Sequence, residues 1–301
     1  MKRLILKILC LVLPTILVCN IIMLLPKDRS SKRAHEANVA LSYERLKSLK
    51  DSDKIVIIAG SNGQFGINSQ MLSEEFSLPV VNTSAHVGLG VRLQFEIYKE
   101  FLKRGDIVIF CLEYNFDEKR LYGDVSALRI LSTHLPAAYL KLPPAQWLHL
   151  YKYIGVGFKE KFITKHAEGT PYGREMLNKY GDIACERKHQ DSIPDIPYIG
   201  EYSDVGLEYY SYMSRYAKEH GLRVVFLPPS LMKREFNKYR LQIDTISSMM
   251  AGIGLPYQAS PERYALPDSL FYDTPYHLTK EGTEIRTRMM IEDIRKALSH
   301  K

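Results

Sequence analysis

The chain opens on an apolar run. From about Ile8 to Leu25 only Pro14 and Asn20 interrupt it, which is near the minimum length for a helix that crosses a bilayer. A polar connector follows, from about Lys27 to Asp53. Beyond it, short β-branched runs alternate with amphipathic stretches, the pattern of an α/β domain built on a parallel sheet. The first run, Lys54 to Ala59, ends in AGSNGQFG; Asn68 and Ser69 then stand as helix N-caps before MLSEEF. LPVVNTSA reads as a second strand, and Val91, Phe95, Tyr98 and Leu102 after it fall at helical spacing. In GDIVIFCLEY the unbroken apolar stretch Ile107 to Leu112 suits a central strand covered on both faces.

The rhythm breaks over residues 116–201, which are rich in proline and tyrosine and contain Trp147. These residues read as an insertion. The alternation resumes with a helix from Asp204 to His220 stopped by Gly221, the strand LRVVFL, and a turn at Pro228 and Pro229. A further helix is expected over roughly Lys233 to Met250. The last helix begins at Lys280, Glu281 and Gly282 and carries Met290, Ile294 and Leu298 on one face.

Charge changes the reading of the amino terminus. Lys2, Arg3, Lys7, Lys27, Arg29, Lys32 and Arg33 face the single acid Asp28, so the first 33 residues hold +6 of the chain's formal +7. A basic balance concentrated on the flanks of an apolar segment points to membrane contact and away from nucleic acid. No small-residue cleavage site follows the apolar run, and Val18 precedes Cys19 where a lipoprotein signal needs a small residue. An uncleaved signal anchor over 1–26 is therefore expected, then a connector over 27–53 and an α/β domain over 54–301. The cysteines show no metal spacing. Cys111 reads as a buried thiol, with a bridge to Cys185 as the alternative. AGSNGQFG lacks the GxGxxG pattern and no Walker loop is present, which argues against a nucleotide site.

In open parallel sheets ligands bind beyond the carboxyl ends of the strands. That rule selects Ser61, Asn82, Glu113 and Pro229. A serine on a glycine-flanked turn between strand and helix exposes its hydroxyl and aims its N–H at the ligand, and Gly60, Gly63 and Gly66 allow close approach. The same residues also make an ordinary turn. A serine hydroxyl needs a base, and the base an acid to fix its tautomer; Asp273 and His277, four apart before the last helix, fit that need. Equally, Asp273 could cap a turn at Thr274 and Pro275 while His277 packs on the helix. His86 is a rival base, and the aromatic residues around Trp147 suit a sugar, the core or a membrane face.

IIAGSNGQFGIN, VVNTSAHVG, GDIVIFCLEY and FYDTPYHLTKEG, in that order, resemble the blocks of SGNH hydrolases. More closely they resemble the membrane-anchored proteins of envelope polysaccharide and teichoic-acid acylation, including the DltD-like and alginate-acetylation groups. The resemblance spans roughly residues 54–115 and 222–298. It implies a three-layer α/β/α, flavodoxin-like sheet with a mostly helical insertion, placed outside the bacterial cytoplasmic membrane on a single span. Ser61 would be the nucleophile, His277 the base and then the acid, and Asp273 its orienting carboxylate. The Ser61 N–H and that of Gly88 or a neighbour in the second block would form the oxyanion hole, with Gly60, Asn62, Asn82, Glu113 and Asn115 lining it. No cofactor or metal is implied; the substrate would be an acylated glycan or acyl donor, and a polytopic O-acyltransferase a partner. Three departures stand out: Ala59-Gly60 replaces the usual Gly-Asp, Asp273 and His277 are one residue further apart than in DxxH, and no GxND follows the third strand. They keep open a second reading, an SGNH-fold accessory protein that binds glycan or a membrane acyltransferase.

Overall fold

The computed structural model describes residues 2–25, 34–114, 116, 121–164, 171–197, 199 and 203–299. Its centre is a parallel sheet of β1 (Ile55–Ala59), β2 (Val80–Asn82), β3 (Ile107–Cys111) and β4 (Arg223–Phe226). The strand order is β2-β1-β3-β4, so the chain reverses its direction of winding between β1 and β3. All five residues of β1 and of β3 are buried. Period-two alternation sorts them: Val56, Ile58, Val108 and Phe110 enter one core, and Ile55, Ile57, Ile109 and Cys111 the other. Helices Val91–Tyr98 and Asp204–His220 cover the first face; Ser69–Phe76 and Lys280–Ser299 cover the second. At the end of the sheet where β1 and β3 begin, the buried Lys54 ammonium meets Asp106 at 2.7 Å.

Local signals in the sequence explain most boundaries. Ser203 Oγ accepts the Gly206 N–H, and Gly221 at φ +64 ends the Asp204–His220 helix. Asn68 caps the helix after it by accepting from the Met71 N–H. The stretch expected as one helix from Lys233 is two, Lys233–Lys238 and Arg240–Gly252. Tyr239 leaves helical geometry at the junction, where its phenol donates to the Ile196 carbonyl at 2.9 Å. Cys111 is a buried free thiol, pushed up to about 11 by burial, and Cys185 is unbridged.

Between β3 and β4 the expected helical insertion is, among the described residues, α-helical only in its first half, with helices Val125–His134, Pro136–Leu140, Pro144–Tyr151 and Ile154–Phe162, and holds one 3-10 turn, Arg174–Met176, further on. Residues 171–197 run instead as a strap whose backbone bonds to core loops, Asn82 N–H to Tyr180 O at 2.9 Å and Ile183 N–H to Gln64 O at 3.0 Å. Peptide groups spent on the core in this way are not available for a helix.

The N-terminal helix, Lys2–Leu24, is long and apolar enough to cross a membrane. Its far end docks on the folded domain. Asn20 Oδ1 accepts from Tyr139 at 3.0 Å, Asn20 also bonds Tyr151, and Lys161 donates to the Met23 carbonyl beside the buried Met23 side chain.

Candidate functional site

β1 and β3 both end at the point of reversal, the place beyond the strands' carboxyl ends where open parallel sheets bind ligands. β1 passes into the extended Gly60 and then a single helical turn, Ser61–Gln64. Glu113, just beyond β3, accepts the Asn62 N–H at 3.2 Å and so satisfies one of the donors that a helix start leaves open. Its carboxylate fills the space beside Gly60, where an added Cβ would sit 2.3 Å from Oε1. Gly60→Ala should therefore displace Glu113 and tilt the turn; labelling of the serine by a fluorophosphonate should slow by about tenfold or more, as ~1.4 kcal/mol of misplacement implies.

The turn is held from below by Arg286, which is fully buried. Its guanidinium donates to Asn62 O at 2.8 Å and to Asn62 Oδ1 at 2.9 Å, while Asn62 Nδ2 donates to the Cys111 carbonyl. Asn82 is committed likewise, to Gly63 O at 3.0 Å and Asp182 Oδ1 at 2.8 Å. The side chains of Asn62 and Asn82 thus act as internal ties, and their amides do not face a ligand as the expected oxyanion lining would. Gly88 differs too: its N–H donates to His86 Nδ1 at 3.0 Å, which caps the turn Val87–Leu89. The Ser61 N–H is at the first position of its turn, with no acceptor among the described residues. Asn115 lies outside the described residues.

The last loop closes on itself before it reaches the serine. Phe271 and Leu278 bridge, and Tyr272 N–H donates to His277 O at 2.8 Å. Thr274 Oγ1 accepts the N–H groups of Tyr276 and His277. Threonine caps this turn, so Asp273 is free to face the imidazole, and the extra residue between acid and base is absorbed by the loop. Asp273 Oδ1 lies 2.9 Å from His277 Nδ1, and His277 Nε2 lies 2.8 Å from Ser61 Oγ. A carboxylate at Nδ1 holds the ring proton there and leaves Nε2 as the acceptor for the serine hydroxyl. Leu278 N–H donates to Phe65 O at 3.2 Å, and buried Arg187 donates to Leu278 O at 3.0 Å, tying this loop to the serine turn and the strap.

Two aromatic residues absent from the sequence expectation complete the site. Phe65 stacks on the His277 ring with centroids 4.3 Å apart and planes 11° from parallel. Tyr172, from the strap, donates to Asp273 Oδ2. Burial alone would raise the Asp273 carboxyl, but the hydrogen bonds from His277 and Tyr172 outweigh it and hold Asp273 below its ordinary value. A carboxylate lowered in the folded state lends stability above its unfolded pKa, about 3.9, and that contribution is lost as pH falls through the lower folded value. Tyr172→Phe removes one of the two supports. Activity should fall about tenfold in kcat with KM little changed, and acid inactivation should begin at a higher pH than in the parent. A pH profile of kcat checks both.

Beside Tyr172 lies a cavity of about 270 Å³, lined by His35, Glu36, His86, Ser126 and Arg129 among others. The Glu36 carboxylate receives both Arg129 nitrogens, at 2.7 and 2.5 Å. Burial opposes this charge, but the Arg129 bonds and charge prevail and hold Glu36 at about 2. His35 is lowered, chiefly by burial, and its Nδ1 sits 2.6 Å from Gln64 Oε1. Polar and apolar groups thus share the walls about equally, and the charged ones are already ordered by their own hydrogen bonds.

No protein-family model matches this chain, and no curated protein matches its sequence.

Proposed function

We propose that this is a membrane-anchored serine esterase or O-acyltransferase of the SGNH type, with a three-layer α/β/α fold, acting on acyl esters of envelope or exported glycans. The observation that carries the reading is the continuous relay from Ser61 Oγ to His277 Nε2 and from His277 Nδ1 to Asp273. His277 would take the serine proton as Oγ attacks the acyl carbonyl, then return it to the departing alcohol. Water or a sugar hydroxyl, deprotonated in turn by His277, would release the acyl group from Ser61. The Ser61 N–H would meet the developing oxyanion. The cavity beside Tyr172, with charged side chains among apolar ones, offers hydrogen-bonding groups to a hydroxyl-bearing acceptor or donor. The apolar N-terminal helix supports single-span anchoring; placement of the domain outside the bacterial cytoplasmic membrane is part of the proposal and rests on the family resemblance.

One observation favours the accessory reading: the Asn62 and Asn82 amides and the Gly88 N–H are engaged inside the protein, which leaves the Ser61 N–H without its first-named partner donor. An SGNH-fold protein with a weak site could serve by binding glycan or a polytopic membrane O-acyltransferase. Fluorophosphonate treatment of the purified chain followed by peptide mass spectrometry separates the two readings. The enzyme reading expects a stoichiometric adduct on Ser61 and turnover of an acetyl ester. An unmodified Ser61 under conditions that label a serine esterase control would defeat it.

A further inference from the structure

The helices after Val125–His134 carry an unusual outer surface for a folded domain. Beyond Leu25, five of the eight exposed large apolar side chains among the described residues are Leu140, Leu148, Val156, Phe162 and Ile163. Leu148 and Ile163 are 78% and 75% exposed. Val156, Lys159 and Ile163 recur at helical spacing along one exposed stripe, while Gly157 and Lys161 face inward.

We propose that the segment from Pro136 to Ile163 lies on the lipid bilayer as an interfacial platform continuous with the N-terminal helix. The inference rests on that helix crossing the membrane and is independent of the serine chemistry. Three bonds fix the geometry: Tyr139 and Tyr151 both reach Asn20, and Lys161 reaches the Met23 carbonyl. Leu140 follows the first anchor, Leu148 precedes the second by one turn, and Phe162 and Ile163 follow the third. The apolar side chains therefore stand within about 6 Å along their helices of points pinned to the membrane helix. Asn20 is itself one turn, about 6 Å, from the end of a helix about 35 Å long, against a hydrocarbon core of about 30 Å. That places the anchors at the boundary between hydrocarbon and headgroups.

The chemistry of the segment agrees with that depth. Tyr139, Trp147 and Tyr151 form a ring cluster with centroids 4.6 and 5.5 Å apart, and tyrosine and tryptophan concentrate at the headgroup level. With Lys161 turned inward, Lys141, Lys152 and Lys159 remain at the surface against the single acid Glu160 across residues 136–164, a balance that anionic headgroups attract.

The test uses the full-length chain in vesicles of phosphatidylcholine and phosphatidylglycerol. A polarity-sensitive fluorophore is attached at native Cys10, or through Leu148→Cys, Ile163→Cys or Leu241→Cys, with the other accessible cysteines changed to serine. Quenching by lipids carrying a doxyl group on the acyl chain is then measured. Leu241 is 80% exposed on the Arg240–Gly252 helix and serves as the solvent control. Labels at 148 and 163 should emit further to the blue and be quenched several-fold more than at 241. If Cys10 is quenched while 148 and 163 behave like 241, the helix spans and the platform is wrong. If Cys10 is not quenched, the anchor itself fails. A blue shift at 148 and 163 without lipid quenching would mean that a second copy of the chain covers the surface, and would overturn the proposal.

Discussion

Ser61→Ala and His277→Ala should each lower turnover of an activated acyl ester by on the order of 10³-fold or more, and the double variant should be little worse than either. The expectation follows from the relay, in which His277 Nε2 lies 2.8 Å from Ser61 Oγ and has its other nitrogen on Asp273. Groups that act as one unit lose their joint effect when any one is removed, so the effects do not multiply. Folding should be little affected, because the Ser61 hydroxyl is only partly buried and the turn that carries it is held by other atoms. Single-turnover acyl release measures the effect. Alanine variants that keep more than about a tenth of the parent rate would mean that the relay is structural.

Arg286→Leu should produce the largest loss of stability of any substitution near the site, about 3 kcal/mol. Arg286 is fully buried in the last helix, and its two bonds to Asn62 hold the serine turn to a point more than 200 residues away, 224 in sequence. Leucine would leave Asn62 O and Oδ1 buried without these donors, each costing ~1–3 kcal/mol, offset in part by removal of a buried charge. Arg286→Lys keeps the charge but not the planar fork that reaches both oxygens, so it should fall between parent and leucine. Urea unfolding in detergent micelles reads both. A midpoint for Arg286→Leu equal to that of the parent would remove Arg286 from the supports of the site. In contrast to Ser61→Ala, this variant should lose serine labelling and stability together.

The difference between these two positions shows what can be read from the chain. Ser61, Asp273 and His277 sit in loops at strand and helix ends, where sequence punctuation is strong and local geometry limits what a side chain can reach. The strands of the sheet were legible for a related reason, since Ile55–Ala59 and Ile107–Cys111 are buried on both faces and leave no polar residue to blur the run. Arg286 has no such signal. On a helix carrying several arginines and lysines it looks like another solvated charge, and only the packing of that helix under the serine turn buries it. Tyr172 is one tyrosine in a tyrosine-rich segment and lies 101 residues from the carboxylate it bonds. Asn62 differs in the opposite direction. Its position after β1 suggested a ligand contact, but the Cys111 carbonyl claims its amide; Asn82, placed at the end of β2 as a ligand contact or, more in keeping with its site, a loop tie, is a tie to Gly63 and Asp182. Satisfying a buried acceptor is a demand that no local pattern announces.

The nucleophile and its base are 216 residues apart. At a synthesis rate of roughly 5–20 residues per second, the serine leaves the ribosome on the order of ten to forty seconds before the histidine does. Throughout that interval the apolar helix can already be engaged by the membrane while the serine has no base beside it. On the proposed reading, the relay cannot be assembled until the last helix has been made and Arg286 has met the first turn. If the proposed chemistry holds, its onset waits for completion of the polypeptide, and a product truncated before His277 would be inert.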